Sequence, residues 1–363
     1  MGYEDRKKLY RQLEEHRGNP LISYVTSIRP NLSSQMAADV IPYIIKQVER
    51  IGSSCREIDF LIVSNGGDPL TAHRINSILR ERFDRINVLV PYVAYSAATI
   101  FALGADSIVM GLYSNLGPVD PQVRIDKTSE NGIKSGLQFS SEDIHFYNEY
   151  LTKEIKISKK HSLSSLTKTL IDEIGPLEIG KTKRAKELSL FLSRKLLSEH
   201  LNDSKTIKKI SNKFNTSFHH GYAFSRSEVK KLGLNVSIPD AKTEELMWKI
   251  WEDYSNEMKC NNPFDITNEI LNNINNLNLT SVQIANIPAN LPAQFAQGFW
   301  NSIISKIQIT TQSSTNLVEK LAFLESAGDG YSVTTKICVI AFRNAQFELV
   351  TNATGYSEGW CEE

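Results

Sequence analysis

The apolar run Ile86–Ala105 comprises twenty residues without a charged side chain. A helix that spans a bilayer needs about 20 mostly apolar residues, so length alone permits a membrane span. Pro91, Ser96 and Gly104 interrupt the run, and a buried strand of about 5–8 residues leading into a buried helix gives the same total length. We therefore expect a strand over Ile86–Val93, a buried helix after it, and no membrane span.

Similar apolar runs alternate with amphipathic segments on both sides of this region. The predicted strands are Leu21–Ile28, Ile58–Val63, Ile86–Val93 and Ser107–Gly111. Between the first two, Ser33 or Ser34 is the expected N-cap of a helix. The next helix is expected to turn Leu70 inward together with its isoleucines. Strands alternating with helices predict a layered α/β domain with a largely parallel sheet.

The pattern changes twice further along the chain. From about 140 to 213 it is helical, which predicts a helical insertion. Near residue 259 the composition becomes rich in asparagine, and strand-like runs follow it. We expect a main domain over residues 1–258 and a smaller α+β or β-rich C-terminal module over residues 259–363.

Charge and cysteine content narrow the class of protein. The 41 Lys and Arg residues balance the 41 Asp and Glu residues, which disfavours a dedicated nucleic-acid-binding protein. Four scattered cysteines without a CxxC motif indicate free thiols in a reducing cytoplasm and no zinc site. The charged N-terminus does not resemble a signal peptide. With no P-loop, dinucleotide fingerprint or HExxH motif, we expect no metal and no cofactor.

Two strand ends carry candidate chemistry, because open parallel sheets bind ligands at the carboxyl ends of their strands. Gly66 and Gly67 follow the second strand in "SNGGDP", and Ser96 follows the third in "AYSAA". Unshielded glycine amides can bind an anion or a developing oxyanion, although a tight turn alone would also explain the pair. A serine where a strand meets a helix can be a nucleophile, or it can be an N-cap.

The segment Phe60–Val123 resembles the serine dehydrogenase proteinase family, which has the Clp protease/crotonase fold and is related to signal peptide peptidase A. The resemblance is carried by the Gly66-Gly67-Asp68 turn, Ser96-Ala97, "ALGADSIVMG" and "LGPVDPQ" in matching order and spacing. It extends more weakly to "SRSEVKKLGLNV". It implies an α/β fold of ββα repeats and the activity of a serine endopeptidase.

The resemblance also implies a set of site residues. Ser96 would be the nucleophile, Gly67 and Ala97 would donate the oxyanion-hole amides, and Gly66 would shape the turn. Asp120 and His220, with His219 in reserve, occupy the places of the carboxylate and the histidine base of a Clp-type triad, with those two positions exchanged. The chain departs from the family pattern at Ala98, where a glycine is common.

Rival interpretations remain open at the level of sequence. A Ser–Lys dyad would use Lys127 or Lys134, but both lie in a polar stretch, whereas a catalytic lysine must be desolvated. A catalytically silent peptide-binding scaffold would keep the same groove. An acyl-CoA enzyme of the crotonase type would explain the glycines and leave Ser96 unused. We expect a peptide or protein substrate, a homo-oligomer, and a possible protein partner at the C-terminal module.

Overall fold

A computed structural model describes residues 2–128, 134–157, 160–216, 221–271, 313–343 and 349–363. The helices are α1 Tyr3–Arg17, α2 Ile41–Arg50, α3 Pro69–Arg82, α4 Ala97–Leu103, α5 Ser141–Glu149, α6 Lys160–Ile174, α7 Pro176–Leu197, α8 Ser204–Asn215, α9 Arg226–Leu232, α10 Ala241–Glu257 and α11 Ile266–Leu271. The strands are β1 Leu21–Thr26, β2 Glu57–Val63, β3 Arg85–Val90, β4 Val93–Ala94, β5 Ser107–Met110, β6 Asn115–Leu116, β7 Gln122–Thr128, β8 Lys134–Ser140, β9 Phe224–Ser225, β10 Val236–Ser237, β11 Ser313–Ser326, β12 Gly330–Arg343 and β13 Leu349–Glu362.

The main sheet has the order β10-β5-β3-β2-β1-β11-β12-β13. Its first five strands are parallel, and β11 joins β1 antiparallel with Ile22 opposite Ser326 and Thr26 opposite Ala322. The strands β3 and β5 are each followed by a two-residue strand, and these two short strands form a second sheet with β9, in the order β4-β6-β9. The predicted α/β class with a parallel sheet is confirmed.

The uncharged run Ile86–Ala105 folds as strand, turn and helix. It supplies most of β3, the short β4 and the seven-residue α4, whose side chains are all buried. Pro91 lies where β3 ends, since proline cannot donate to the ladder. Within the described residues, no helix is long and apolar enough to cross a bilayer.

Two local predictions are wrong. The helix expected from Ser33 or Ser34 begins only at Ile41, after a short 3₁₀ turn over Ala38–Val40, because the chain up to Met36 runs alongside the glycine turn after β2. Leu70 is 52% exposed instead of buried, because it lies in the first turn of α3. Ser140 caps α5 with a capping box, as predicted.

The C-terminal strands do not stand apart from the sheet. β11 pairs with β1, and β12 and β13 follow in antiparallel order. The predicted strands within residues 281–312 lie outside the described residues. The boundary at residue 258 stays a prediction, and the described part of the C-terminal segment extends the main sheet.

Buried charge ties the first helix to the last strands. The fully buried Arg6 donates to Glu325 on β11 through Nε and Nη2, at 2.9 and 2.7 Å, and to Asp253 on α10 at 2.7 Å. Tyr10 donates to Glu325 at 2.5 Å, and burial raises the pKa of Tyr10 well above its usual value. The net contribution of a buried ion pair to stability is often small. Removing one of its partners is strongly destabilising, because an uncompensated charge then stays buried.

Replacing Arg6 by methionine should therefore lower the free energy of unfolding by about 3–5 kcal/mol, because Glu325 and Asp253 would stay buried without their cation. Urea unfolding followed by circular dichroism measures the change. The control is Lys8→Met on the same helix, where the paired Lys8 and Asp5 are exposed and little change is expected. Equal effects of the two variants would contradict a buried network.

Candidate active site

Ser96 lies at a sharp bend between β4 and α4. Its backbone has φ 52° and ψ −117°, one of four non-glycine residues with positive φ among those described. Such a conformation is costly for a residue with a side chain and persists only where its surroundings impose it. The Ser96 N–H donates to the Pro118 carbonyl at 3.2 Å, and the Ile100 N–H donates back to the Ser96 carbonyl at 3.0 Å. The bend is therefore held from both sides.

The side chain of Thr99 holds the backbone on both sides of the Ser96 bend. The Thr99 hydroxyl lies 2.6 Å from the Ala94 carbonyl and 2.9 Å from the Gly117 carbonyl, and it accepts the Gly117 N–H at 3.1 Å. Thr99 is fully buried. One side chain thus joins β4, the first turn of α4 and the segment that leads to Asp120.

The glycine turn after β2 lies directly against this bend. A Cβ atom at Gly66 would fall 2.6 Å from the Ser96 Cβ and 2.9 Å from the Ala97 nitrogen. A Cβ atom at Gly67 would overlap the backbone of Met36. Both glycines also have positive φ, 102° and 147°. Only glycine fits either position, so the turn and the bend are built around the absence of two side chains.

Neighbouring hydrogen bonds hold the turn and leave two amides open. The Met36 N–H donates to the Gly66 carbonyl at 2.8 Å, and the Asp68 N–H donates to the Met36 carbonyl at 2.9 Å. Neither the Gly67 N–H nor the Ala97 N–H donates to any described residue. The Ser96 hydroxyl likewise has no hydrogen-bond partner among the described residues. A nucleophile-type oxygen and two unpaired amides therefore lie in one small region.

A cleft of about 350 Å³ opens at this point. Its polar lining includes the side-chain amides of asparagine and glutamine residues from four separate segments. Its apolar lining comes from α4, α7 and the segment before β7. The lining residues are Gln35, Asn65, Gly67, Pro69, Ser96, Ile100, Val119, Pro121, Gln122, Gln138, Ala185, Leu188 and Ser189. Sequence reasoning missed these side-chain amides. Asn65, directly after a buried strand, carried a signal that could have been recognised.

Asp120 lies beside this cleft, between the lining residues Val119 and Pro121. It is 3% exposed; its Oδ2 accepts from Gln122 at 3.2 Å, while its Oδ1 is buried and accepts nothing from the described residues. Burial raises the pKa of Asp120 to about 6, and the carboxylates of Glu142 and Asp143 add to the rise, against the Ser140 hydroxyl and the Lys186 ammonium. Because buried polar groups are nearly always hydrogen-bonded, we expect a hydrogen-bond donor near the unsatisfied oxygen of this buried carboxylate.

His219 and His220 lie outside the described residues, and so do the side chains of Lys127 and Lys134. The residues that flank the histidines are anchored near the cleft. The Phe214 carbonyl accepts from Val119 N–H at 2.9 Å, and Phe224 pairs with Leu116. The structure thus brings together Ser96, Ala97, Gly66 and Gly67, with Asp120 nearby.

Comparison with known proteins gives the context of this site. Residues 3–145 match the family model described as ClpP-like SDH-type serine proteinase. Two uncharacterised proteins of Methanocaldococcus jannaschii are 28% and 27% identical over 247 and 204 residues, covering 65% and 56% of this chain and 74% and 60% of theirs.

Among solved structures, a mutant of the 1510-N membrane-bound stomatin-specific protease aligns with a TM-score of 0.36 at 15% identity, over 66% of this chain and 86% of that one. ClpP1 from Listeria monocytogenes aligns with a TM-score of 0.33 at 11% identity, over 64% and 96%.

The matched segment contains the glycine turn, the Ser96 bend and Asp120. The α/β fold class expected from the sequence, with a strand-rich C-terminal part, is confirmed, and the match to a ClpP-like family model supports the Clp-like part of that expectation over residues 3–145. Over residues 3–145 the chain matches the ClpP-like SDH-type serine proteinases, as its sequence resemblance predicts.

Proposed function

We propose that this protein is a serine endopeptidase that cleaves peptide bonds through an acyl-enzyme on Ser96. The observation that carries the proposal is the strained Ser96 bend packed against Gly66 and Gly67, with Ser96 and Gly67 lining one cleft. A turn that only reversed the chain would not need a strained serine at the point of contact. Strain at a non-glycine residue points to a function that the surrounding structure supports.

The proposed chemistry uses the two open amides. When the Ser96 oxygen attacks a peptide carbonyl, negative charge develops on the carbonyl oxygen, and the Gly67 and Ala97 N–H groups would stabilise it. Preorganised donors of this kind contribute strongly, since losing one costs about 10²–10³-fold in rate. The side-chain amides of four cleft-lining residues offer hydrogen-bond donors and acceptors to the backbone of a polypeptide.

We propose His220 as the general base, with His219 in reserve and Asp120 as the carboxylate that orients it. The anchored residues Phe214 and Phe224 on either side of the histidines contact the segment Leu116–Val119 that precedes Asp120. The buried, unsatisfied Asp120 Oδ1 supports the proposal, because an imidazole N–H would satisfy it. Mutual geometry, not order in the chain, defines a triad.

The lysine alternatives have less support. Lys127 is five residues beyond the cleft residue Gln122 on β7, which corresponds to about 16 Å along a strand. Lys134 is four residues before Gln138 on β8, or about 13 Å. A Ser–Lys dyad needs hydrogen-bond reach of about 2.6–3.2 Å.

We also propose a cytoplasmic homo-oligomer acting on peptide or protein substrates.

The first test is covalent labelling. A fluorophosphonate probe should modify the wild-type protein and fail to modify Ser96→Ala, because the probe reacts with an activated serine. The control is Ser198→Ala, which removes an exposed serine at the end of α7 and should label like the wild type. Absence of labelling in the wild type would favour the catalytically silent scaffold.

The second test separates the candidate bases. His220→Ala should lower kcat by about 10²–10⁴-fold, the usual contribution of a general base. Lys127→Ala and Lys134→Ala should change it little, and a loss in His219→Ala instead of His220→Ala would assign the base to His219. Steady-state hydrolysis of a fluorogenic peptide measures the effect. A loss confined to one of the lysine variants would replace the triad by a dyad.

The third test uses the pKa of Asp120. Because burial raises this pKa from 3.8 to about 6, the folded state holds the proton more tightly than the unfolded state. Ionised Asp120 therefore costs stability, and the free energy of unfolding should fall as pH rises from about 4 through 6.

Asp120→Asn should remove that dependence and raise the free energy of unfolding by about 1–3 kcal/mol near neutral pH, with no gain near pH 4. It should lower kcat at least about 10²-fold, because asparagine cannot orient a charged imidazole. Urea unfolding at the two pH values and peptide hydrolysis measure both effects. A stabilised variant with full activity would remove Asp120 from the mechanism.

A further inference from the structure

We infer that Arg29 is a positioning residue for the oxyanion hole, held in place by Glu319 of the C-terminal strand β11. The inference rests on the proposed function. It assigns the C-terminal segment a direct part in the catalytic unit, through the loop that connects β1 to the 3₁₀ turn before α2. This connection, residues 27–37, is called the clamp loop below.

The clamp loop holds the glycine turn by its backbone. Met36 exchanges two hydrogen bonds with the turn, donating to the Gly66 carbonyl and accepting from Asp68 N–H, at 2.8 and 2.9 Å. The Met36 backbone occupies the space where a Gly67 side chain would lie, and Gln35 lines the cleft itself. Displacement of the clamp loop would therefore displace the Gly67 amide.

The other end of the clamp loop is fixed to the C-terminal part of the chain. The Ser27 N–H donates to the Leu321 carbonyl on β11 at 2.7 Å. The Pro30 carbonyl accepts from Phe264 N–H at 2.9 Å, and Asn31 donates to the Phe264 carbonyl at 3.1 Å. These bonds join the loop to segments beyond residue 258, the residue at which sequence predicts a domain boundary.

Arg29 is the charged centre of this attachment. It is 2% exposed, and its guanidinium lies 3.1 Å from Glu319, 2.9 Å from Glu269 on α11 and 2.8 Å from the Asn262 carbonyl. Glu319 is 4% exposed and is also paired with Lys259 at 2.8 Å. The guanidinium donates to Glu269 and to the Asn262 carbonyl and forms an ion pair with Glu319, although its Nη1 makes no hydrogen bond to a described residue. A planar guanidinium held in this way fixes the position of its backbone, which a flexible ammonium does not.

The direction of β11 explains why this attachment is at the catalytic edge. β11 pairs with β1 only from Ala322 to Ser326, and its residues 313–321 continue past Thr26, the carboxyl end of β1. The carboxyl ends of the parallel strands are the edge where Gly66 and Ser96 lie. Glu319 is on this continuation, whereas Glu325, six residues along the same strand, binds Arg6 on the β1-paired part.

The pair Glu319 and Glu325 provides a matched test. Both are buried carboxylates on β11 that bind a buried arginine, but only Glu319 is attached to the clamp loop. The variants Glu319→Gln and Glu325→Gln are compared at a temperature where both are folded, with active sites titrated by a fluorophosphonate probe. Titration removes the contribution of misfolded protein.

For Glu319→Gln we expect kcat per titrated site to fall at least about 10-fold, with KM within about twofold of the wild-type value. Complete loss of one oxyanion-hole donor costs about 10²–10³-fold in rate, and a displaced Gly67 amide should cost a part of that. Glu325→Gln should keep kcat per site within about twofold, even if it unfolds at a lower temperature. Arg29→Lys should behave as Glu319→Gln does, since a single ammonium cannot keep both hydrogen bonds and the ion pair with Glu319. Equal loss in the two glutamine variants, or no loss in either, would overturn the inference.

Hydrogen exchange gives a readout that needs no catalysis. In Glu319→Gln the amides of Met36 and Asp68, whose hydrogen bonds join clamp loop and glycine turn, should exchange at least about 10-fold faster than in the wild type and in Glu325→Gln. Unchanged exchange at both amides overturns the positioning role. If the wild type shows neither labelling nor turnover, the proposed function fails, while the exchange result still decides whether Glu319 holds the turn.

Discussion

The close approach of the Gly66-Gly67 turn to the Ser96 bend is the constraint on which the rest of the site depends. A single methyl group at Gly66 would lie 2.6 Å from the Ser96 Cβ, and one at Gly67 would overlap Met36. The contact forces Ser96 into a backbone conformation that residues with side chains rarely adopt. It also leaves the Gly67 and Ala97 amides without a partner among the described residues, which is the arrangement that an oxyanion hole requires.

The surrounding structure supports that contact with buried polar groups. Thr99 ties the bend to the segment before Asp120, and the clamp loop ties the glycine turn to β11. Buried arginines, Arg6 and Arg29, connect the N-terminal half to the C-terminal strands at two points of β11. The match to the family model covers residues 3–145 and does not include the C-terminal segment, whose strand β11 nevertheless lies beside β1 in the main sheet.

Local sequence patterns predicted the strand and the helix that flank Ser96. The features that the sequence did not predict depend on contacts between residues that are distant in the chain. The uncharged run Ile86–Ala105 predicted a strand and a buried helix, because burial on both sides removes charge from the sequence. The helix start at Ser33 or Ser34 was wrong, because a cap signal does not show that Met36 must remain extended beside Gly67. The pairing of β11 with β1 joins residues about 300 apart, and no periodicity reports such a partner. The pKa of Asp120 likewise depends on charged groups of α5 and α7, which the sequence around Asp120 does not show.

The central claim, a covalent acyl-enzyme on Ser96, is tested most directly by trapping that intermediate. The wild-type protein is mixed with an activated peptide ester, quenched in acid during the first turnover, digested and analysed by mass spectrometry. The account predicts one acyl group per active chain, on the peptide that contains Ser96, formed in a burst that precedes steady hydrolysis. Hydrolysis without an adduct, or an adduct on another residue, would contradict it.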